Sequence, residues 1–324
     1  MYFIPPLLLF LLAGSGAFAS EWVDTWWFLP FLISAVLIGL PHGAADWGVL
    51  CRLVARKNRA RSIGGVAIYS ALLLTSTCVV FFTPPLGLVL FLVVSAWHFG
   101  GADAHDFGDQ FQLKARRRLL WVTAFSRGML IVTSPFVFRF ADMFGACEAW
   151  CAMLSSSWIP SEFSNAFQEV ILGIFALSAV ISMVVMVALL RASNPRAAWW
   201  LALETLLLIA IFAFLHPLFA LGAYFLCWHS LRHISHLREF SHPGAGLGWL
   251  YRLSGPFFFP SLVVIGVLAW GTGSLHSPER TAIILLIFFA IVTPAHQWLV
   301  SQEIQSGSGL KLFHLEDNGK YLYS

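Results

Sequence analysis

The stretch GGVAIYSALLLTSTCVVFFTPPLGLVLFLVVSAWHFGG, Gly64 to Gly101, contains no Asp, Glu, Lys or Arg. A helix needs roughly 20 apolar residues to cross the hydrocarbon core of a bilayer, so this run is long enough to cross twice. Pro84-Pro85 divides it near the middle. Proline cannot continue an interior helix, so the pair marks a turn between two helices. The stretch therefore reads as a transmembrane helical hairpin, and His98, near the end of its second helix, stands out. Ionisable side chains at membrane depth are costly and usually face a bundle interior, where they serve function.

The rest of the chain repeats this pattern. Hydrophobic residues make up 59% of the 324 residues and charged residues 11%, whereas a soluble domain carries about a quarter charged residues. The apolar runs predict an all-α, polytopic transmembrane helical bundle of about nine spanning helices. They fall approximately over 22–47, 63–83, 86–102, 119–140, 167–190, 197–215, 217–236, 255–275 and 281–300, with His216-Pro217 breaking a second long run. Residues 21–303 form one membrane-embedded unit, followed by a short tail over 304–324. Residues 1–20 read equally as a signal peptide or as an extra N-terminal membrane helix. They end in Ala17-Phe18-Ala19, like a cleavage site, but lack a basic n-region.

Basic residues collect after the first of the nine helices (Arg52, Arg56, Lys57, Arg59, Arg61), at Lys114 and Arg116 to Arg118, at Arg191 and Arg196, and at Arg232, Arg238 and Arg252. A nine-helix count puts all these loops on one side, which the positive-inside rule makes the cytoplasm, together with the C-terminus. The expected location is thus a cell (inner) membrane. A net charge of +3 confined to short loops does not suggest nucleic-acid binding. The five cysteines form no CxxC pair, so packing is their expected role.

Histidines gather at one depth. His42 in GLPHGAAD, His98 in SAWHFGGAD, His229 and His233 in CWHSLRHISH, and His296 in TPAHQWLV all lie near cytoplasmic helix ends. His229 and His233 are four apart and stack on one helix face, as a metal clamp requires; His236 continues that face. A lone membrane histidine is usually a packing residue, but five at one level point to a metal site. Imidazole suits iron, copper, zinc and nickel alike. Ligating imidazoles usually donate their other N–H to an acceptor. Asp46 and Asp103 are candidates for that role, or are simply helix-end residues facing the cytoplasm. Glu204 lies inside an apolar helix and either orients a histidine or pairs with Arg127 at similar depth. Aromatics at the same level supply candidate walls for an apolar tunnel: Trp97, Phe99, Tyr224, Phe225, Trp228, Phe257 and Trp298.

The motifs PHGAAD, WHFGGAD and YFLCWHSLRH, with a final histidine in the last helix, resemble the bacteriorhodopsin-related-protein-like family of integral-membrane β-carotene 15,15'-dioxygenases. The resemblance runs from about Gly39 to Val300 with the motifs in the family's order. It implies an iron(II) enzyme that uses dioxygen to split the central double bond of β-carotene into two retinal molecules. It further implies that His42, His98, His229 and His233 hold the metal. Depth and spacing leave His296, His236, Asp46, Asp103 and Glu204 as auxiliary groups. A retinal-binding, rhodopsin-type protein is an implied acceptor of the product. One departure is Ala295, which separates Pro294 from His296 where the family usually has Pro-His. Rival readings are an oxygenase acting on another carotenoid or apolar lipid, a bis-histidine haem protein, and a metal or proton transporter.

Overall fold

A computed structural model describes residues 4–46, 59–113, 115–154, 161–232 and 248–305. Among them the chain is helical, with no strand. The helices are α1 (Ile4–Phe18), α2 (Ser20–Thr25), α3 (Leu29–Ser34), α4 (Leu40–Ala44), α5 (Arg59–Phe82), α6 (Pro84–Gln110) and α7 (Arg117–Phe138). They continue as α8 (Phe140–Leu154), α9 (Ser161–Arg191), α10 (Pro195–Phe214), α11 (Pro217–Tyr224), α12 (Gly248–Gly271) and α13 (Pro278–Gln305). Seven of these, α5, α6, α7, α9, α10, α12 and α13, are long and apolar enough to cross a membrane. The remaining two of the nine expected spans correspond to shorter helical runs: Leu29–Ala44 and the run that starts at Pro217.

The surface explains why lipid is the solvent. Phe82, Phe259, Trp270 and Met183 are each more than 60% exposed, and apolar exposure on this scale marks a face covered by something other than water. The polar side chains go inward: Asp103, Arg127, Glu204 and His229 are all buried. Without a hydrophobic force between helices in lipid, association relies on close packing and interhelical hydrogen bonds. The α6–α7 pair shows the first. A Cβ on Gly100 would sit 1.9 Å from the Ala124 carbonyl oxygen, and one on Gly128 would sit 1.8 Å from that of Ala96. Only glycine permits two backbones that close.

Two local features aim the histidines. A widened π turn spans Ala35–Gly39, just before His42, with the Leu40 N–H bonded to Ala35 O. Pro41 offers no N–H to the Leu37 carbonyl four residues earlier; that oxygen instead accepts a hydrogen bond from Tyr251 Oη at 2.6 Å. The second π turn, Phe225–His229, ends on His229 itself. Such turns insert one residue into the helical register and recur at functional sites.

At the N-terminus α1 packs on α10. Its Leu9 and Ala13 are buried in one cluster with Phe212, Leu215 and Trp228. The helix α8 was not expected as a separate element; it buries Phe144, Cys147, Trp150 and Cys151. Cys78, Cys147, Cys151 and Cys227 are free thiols.

Candidate metal centre and substrate cavity

Four histidines from four regions of the chain converge. Ligand nitrogens of His42 on α4, His98 on α6 and His296 on α13 lie within 4.8 Å of one another, and all three residues are buried. His229 closes the group. Its ring centroid is 5.0 Å from that of His98 and 6.0 Å from that of His42. The His98–His296 and His42–His296 separations are 5.1 and 5.0 Å. His229 Nε2 is buried with no hydrogen-bond partner among the described residues. His233 and His236 lie outside the described residues.

The outer nitrogens are held by acceptors. His296 Nδ1 donates to Asp46 Oδ1 at 2.7 Å, and Asp46 Oδ2 accepts from Tyr69 Oη at 3.1 Å. His98 Nδ1 donates to Gln297 Oε1 at 2.7 Å, and the Gln297 amide nitrogen donates to Ser301 Oγ at 3.2 Å. A ring that donates from Nδ1 keeps its lone pair on Nε2, where a metal binds, and a carboxylate partner raises that nitrogen's basicity. The donor set fits a divalent transition ion: four buried imidazoles, two of them with an acceptor on Nδ1 that leaves Nε2 free to bind. The sequence pointed to His296 as an auxiliary group; the geometry puts it inside the ring of imidazoles, with Asp46 directed at His296. Gln297 and Tyr69 went unnoticed in sequence. A polar amide beside a histidine in an apolar helix was the available signal for Gln297.

Asp103 and Glu204 serve a different cluster. Arg127 donates to Asp103 Oδ2 at 2.9 Å and lies 3.1 Å from Glu204 Oε2. Arg232 donates to Glu204 Oε1, which also accepts from Trp200 Nε1 at 2.8 Å. Trp228 Nε1 donates to Asp103 Oδ1 at 3.0 Å, and the Arg232 guanidinium lies over the Trp228 ring at 3.9 Å. Two carboxylates and two guanidiniums therefore neutralise each other while joining α6, α7, α10 and the helical run that carries His229. Of the two readings of Glu204, the pair with Arg127 is the one the geometry forms. Burying these charges is tolerable because each is paired and hydrogen-bonded.

The histidines open onto a cavity of about 350 Å³, within the range of small-molecule sites. Its walls include residues from Leu88 to His98 on α6 and from Leu286 to His296 on α13. Each is a ten-residue climb, roughly 15 Å at 1.5 Å per residue. The helix α8 lines the cavity away from the histidines, through Met143, Ala146, Cys147 and Trp150, the last stacked on Phe91. Of the expected tunnel aromatics, Phe99, Phe225 and Phe257 line the cavity. The other four lie elsewhere. Tyr224 stacks beside His229, Trp228 belongs to the ionic cluster, Trp97 packs on Trp121, and Trp298 packs against the cluster of Tyr69, Ala295 and Leu299.

No solved structure matches the chain. The chain is 29% identical over 291 residues to the probable β-carotene 15,15'-dioxygenase Blh of Halobacterium salinarum, covering 85% of this chain and 83% of that protein. It is 29% identical over 217 residues to the probable β-carotene 15,15'-dioxygenase Brp of the same organism, covering 63% of this chain and 57% of Brp. A β-carotene 15,15'-dioxygenase from an uncultured marine bacterium is 34% identical over 73 residues, covering 22% of this chain and 26% of that protein. A family model described as β-carotene 15,15'-dioxygenase matches residues 33–302, a span that takes in His42, His98, His229 and His296, and the chain belongs to that family.

Proposed function

We propose that this protein cleaves the central double bond of β-carotene with dioxygen, giving two molecules of all-trans-retinal, at an iron(II) held by buried histidines in a cell membrane. The observation that carries this reading is the ring of four imidazoles from separate helices, opening onto a long apolar cavity in a chain of this family. His42, His98, His229 and His296 are the ligands the geometry favours, with His233 of the HSLRH motif a further candidate. Iron held there would activate dioxygen toward the polyene, and the electrons that turn dioxygen into two carbonyl oxygens come from the double bond that is cleaved.

The chain's own residues do the rest. Asp46 and Gln297 hold the His296 and His98 rings in orientation, so the ligand positions are formed before substrate arrives. Phe99 and Phe225, both in ring contact with His229, exclude water from the reacting space. The apolar walls between Leu88 and His98 seat one arm of the polyene and bring a bond near its middle level with the histidines. No protein acid or base is required, because the chemistry belongs to the cofactor. The basic loops, by the positive-inside rule, support a metal end and a C-terminus at the cytoplasmic face. A retinal-binding protein is the acceptor we infer for the product.

The test is expression in a β-carotene-producing bacterial strain, with extracts separated by chromatography, beside His229→Ala and His296→Ala variants. Loss of orange colour with retinal formed by the parent protein and by neither variant supports the reading. Cells that stay orange with well-expressed protein overturn it for β-carotene. A red preparation with a Soret band would favour haem instead.

A further inference from the structure

The end of the cavity at α8 carries an unused hydrogen-bond donor. Trp150 is 2% exposed, lines the cavity and stacks on Phe91, with ring centroids 6.1 Å apart. Its Nε1–H is buried with no acceptor among the described residues. Indole nitrogen is a donor only, and a buried Trp usually finds a partner for it. An orphaned buried donor is costly unless something arrives to accept from it. Phe91 precedes His98 by seven residues on α6, which puts Trp150 roughly 10 Å along the cavity from the histidines.

The surroundings narrow the acceptor. Met143, Ala146, Phe136 and Leu88 make that end apolar, and Cys147 beside them is a buried free thiol. No Lys or Arg lines the cavity among the described residues, and its one carboxylate, Asp46, belongs to the histidine end. An anionic lipid head group therefore has no counter-charge, and burying it would be prohibitive. A neutral oxygen on an apolar body fits.

We propose that the α8 end of the cavity seats the terminal ring of a carotenoid carrying a hydroxyl or keto oxygen, which accepts a hydrogen bond from Trp150 Nε1. The chain then prefers ring-oxygenated carotenoids to β-carotene. This rests on the carotenoid-cleaving reading above and specifies the substrate class within it. A site built to hydrogen-bond an oxygen discriminates against the analogue without one, since the donor is then left unpaired.

Two measurements on the full-length protein in detergent test this, with β-carotene and its ring-hydroxylated and ring-keto derivatives as probes. The first is kcat/KM for each carotenoid, in the parent and in Trp150→Phe, which keeps the aromatic ring and removes the donor. The second is binding of the same carotenoids to metal-free protein, followed by tryptophan quenching. We expect about a tenfold preference for the oxygenated ring in both, falling to near one in Trp150→Phe. Equal or weaker handling of the oxygenated carotenoids by the parent protein overturns the proposal, as does a preference that survives in Trp150→Phe. Binding preference without cleavage of any carotenoid would leave the seat standing and sink the reading of the reaction. Cleavage of β-carotene without any preference would do the reverse.

Discussion

Replacing Asp46 tests whether the carboxylate acts through His296. Asp46 is 4% exposed and bridges the His296 Nδ1–H at 2.7 Å and the Tyr69 hydroxyl at 3.1 Å. In Asp46→Asn the side-chain carbonyl oxygen can still accept from the imidazole, while the new amide faces a hydroxyl able to accept. That variant therefore removes the charge and keeps the geometry. Asp46→Ala removes both and leaves two buried donors unpaired. Outer partners of this kind typically contribute 10- to 100-fold to metal affinity, about 1.4 to 2.8 kcal/mol. We expect Asp46→Asn at the lower bound of that range, Asp46→Ala at the upper bound, and Tyr69→Phe weaker than either. The assay is iron content after dialysis against a graded chelator series, with retinal formation measured in parallel. Both Asp46 variants holding iron as tightly as the parent protein would refute the argument. So would a Tyr69→Phe loss equal to that of Asp46→Ala, since the hydroxyl acts one bond further out.

Three other outcomes are expected. Gly100→Ala must push α6 and α7 apart, because its Cβ would meet a carbonyl oxygen at 1.9 Å, whereas Gly101→Ala meets nothing within 4 Å; overpacking predicts about 1–3 kcal/mol lost by the first and little by the second, read as thermal midpoints in detergent, and equal midpoints would contradict the close crossing. Glu204→Ala leaves buried Arg127 and Arg232 short of a counter-charge, at a cost of about 3–5 kcal/mol; the folded fraction should still bind iron in the parent ratio, and selective iron loss from well-folded protein would return Glu204 to the metal site. Deleting residues 1–20 strips buried Leu9 and Ala13 from the cluster around Phe212 and Leu215, so the yield of monodisperse protein should fall, and an unchanged yield and midpoint would show that α1 contributes nothing to the bundle.

The bundle was readable in the sequence because its cause is local. Long apolar runs, proline breaks and basic loops are properties of contiguous residues, and a bilayer acts on each segment separately. Seven spans followed directly from that pattern. The level of the histidines followed too, because depth is counted along a helix. What distance along the chain could not convey was azimuth. His296 and His229 stood at one depth in sequence, yet which rings meet depends on how α4, α6, α13 and the run ending at His229 rotate about their axes. Two π turns, placed at Ala35–Gly39 and Phe225–His229, alter that rotation without any mark in hydropathy.

The same limit governed the carboxylates and the cavity. Asp46 follows His42 by four residues but serves His296, which is 250 positions away. Asp103 follows His98 by five but turns to Arg127 and Trp228 on other helices. The helix α8 lines the cavity although its own stretch is too short to announce a membrane span. Local chemistry along the chain thus pointed to lipid as the solvent and to the helices, and it set the histidines at one level along them. The partners of each polar group emerge from helix packing, since a buried donor or charge is satisfied by whatever acceptor the neighbouring helix presents, regardless of where it falls in the chain.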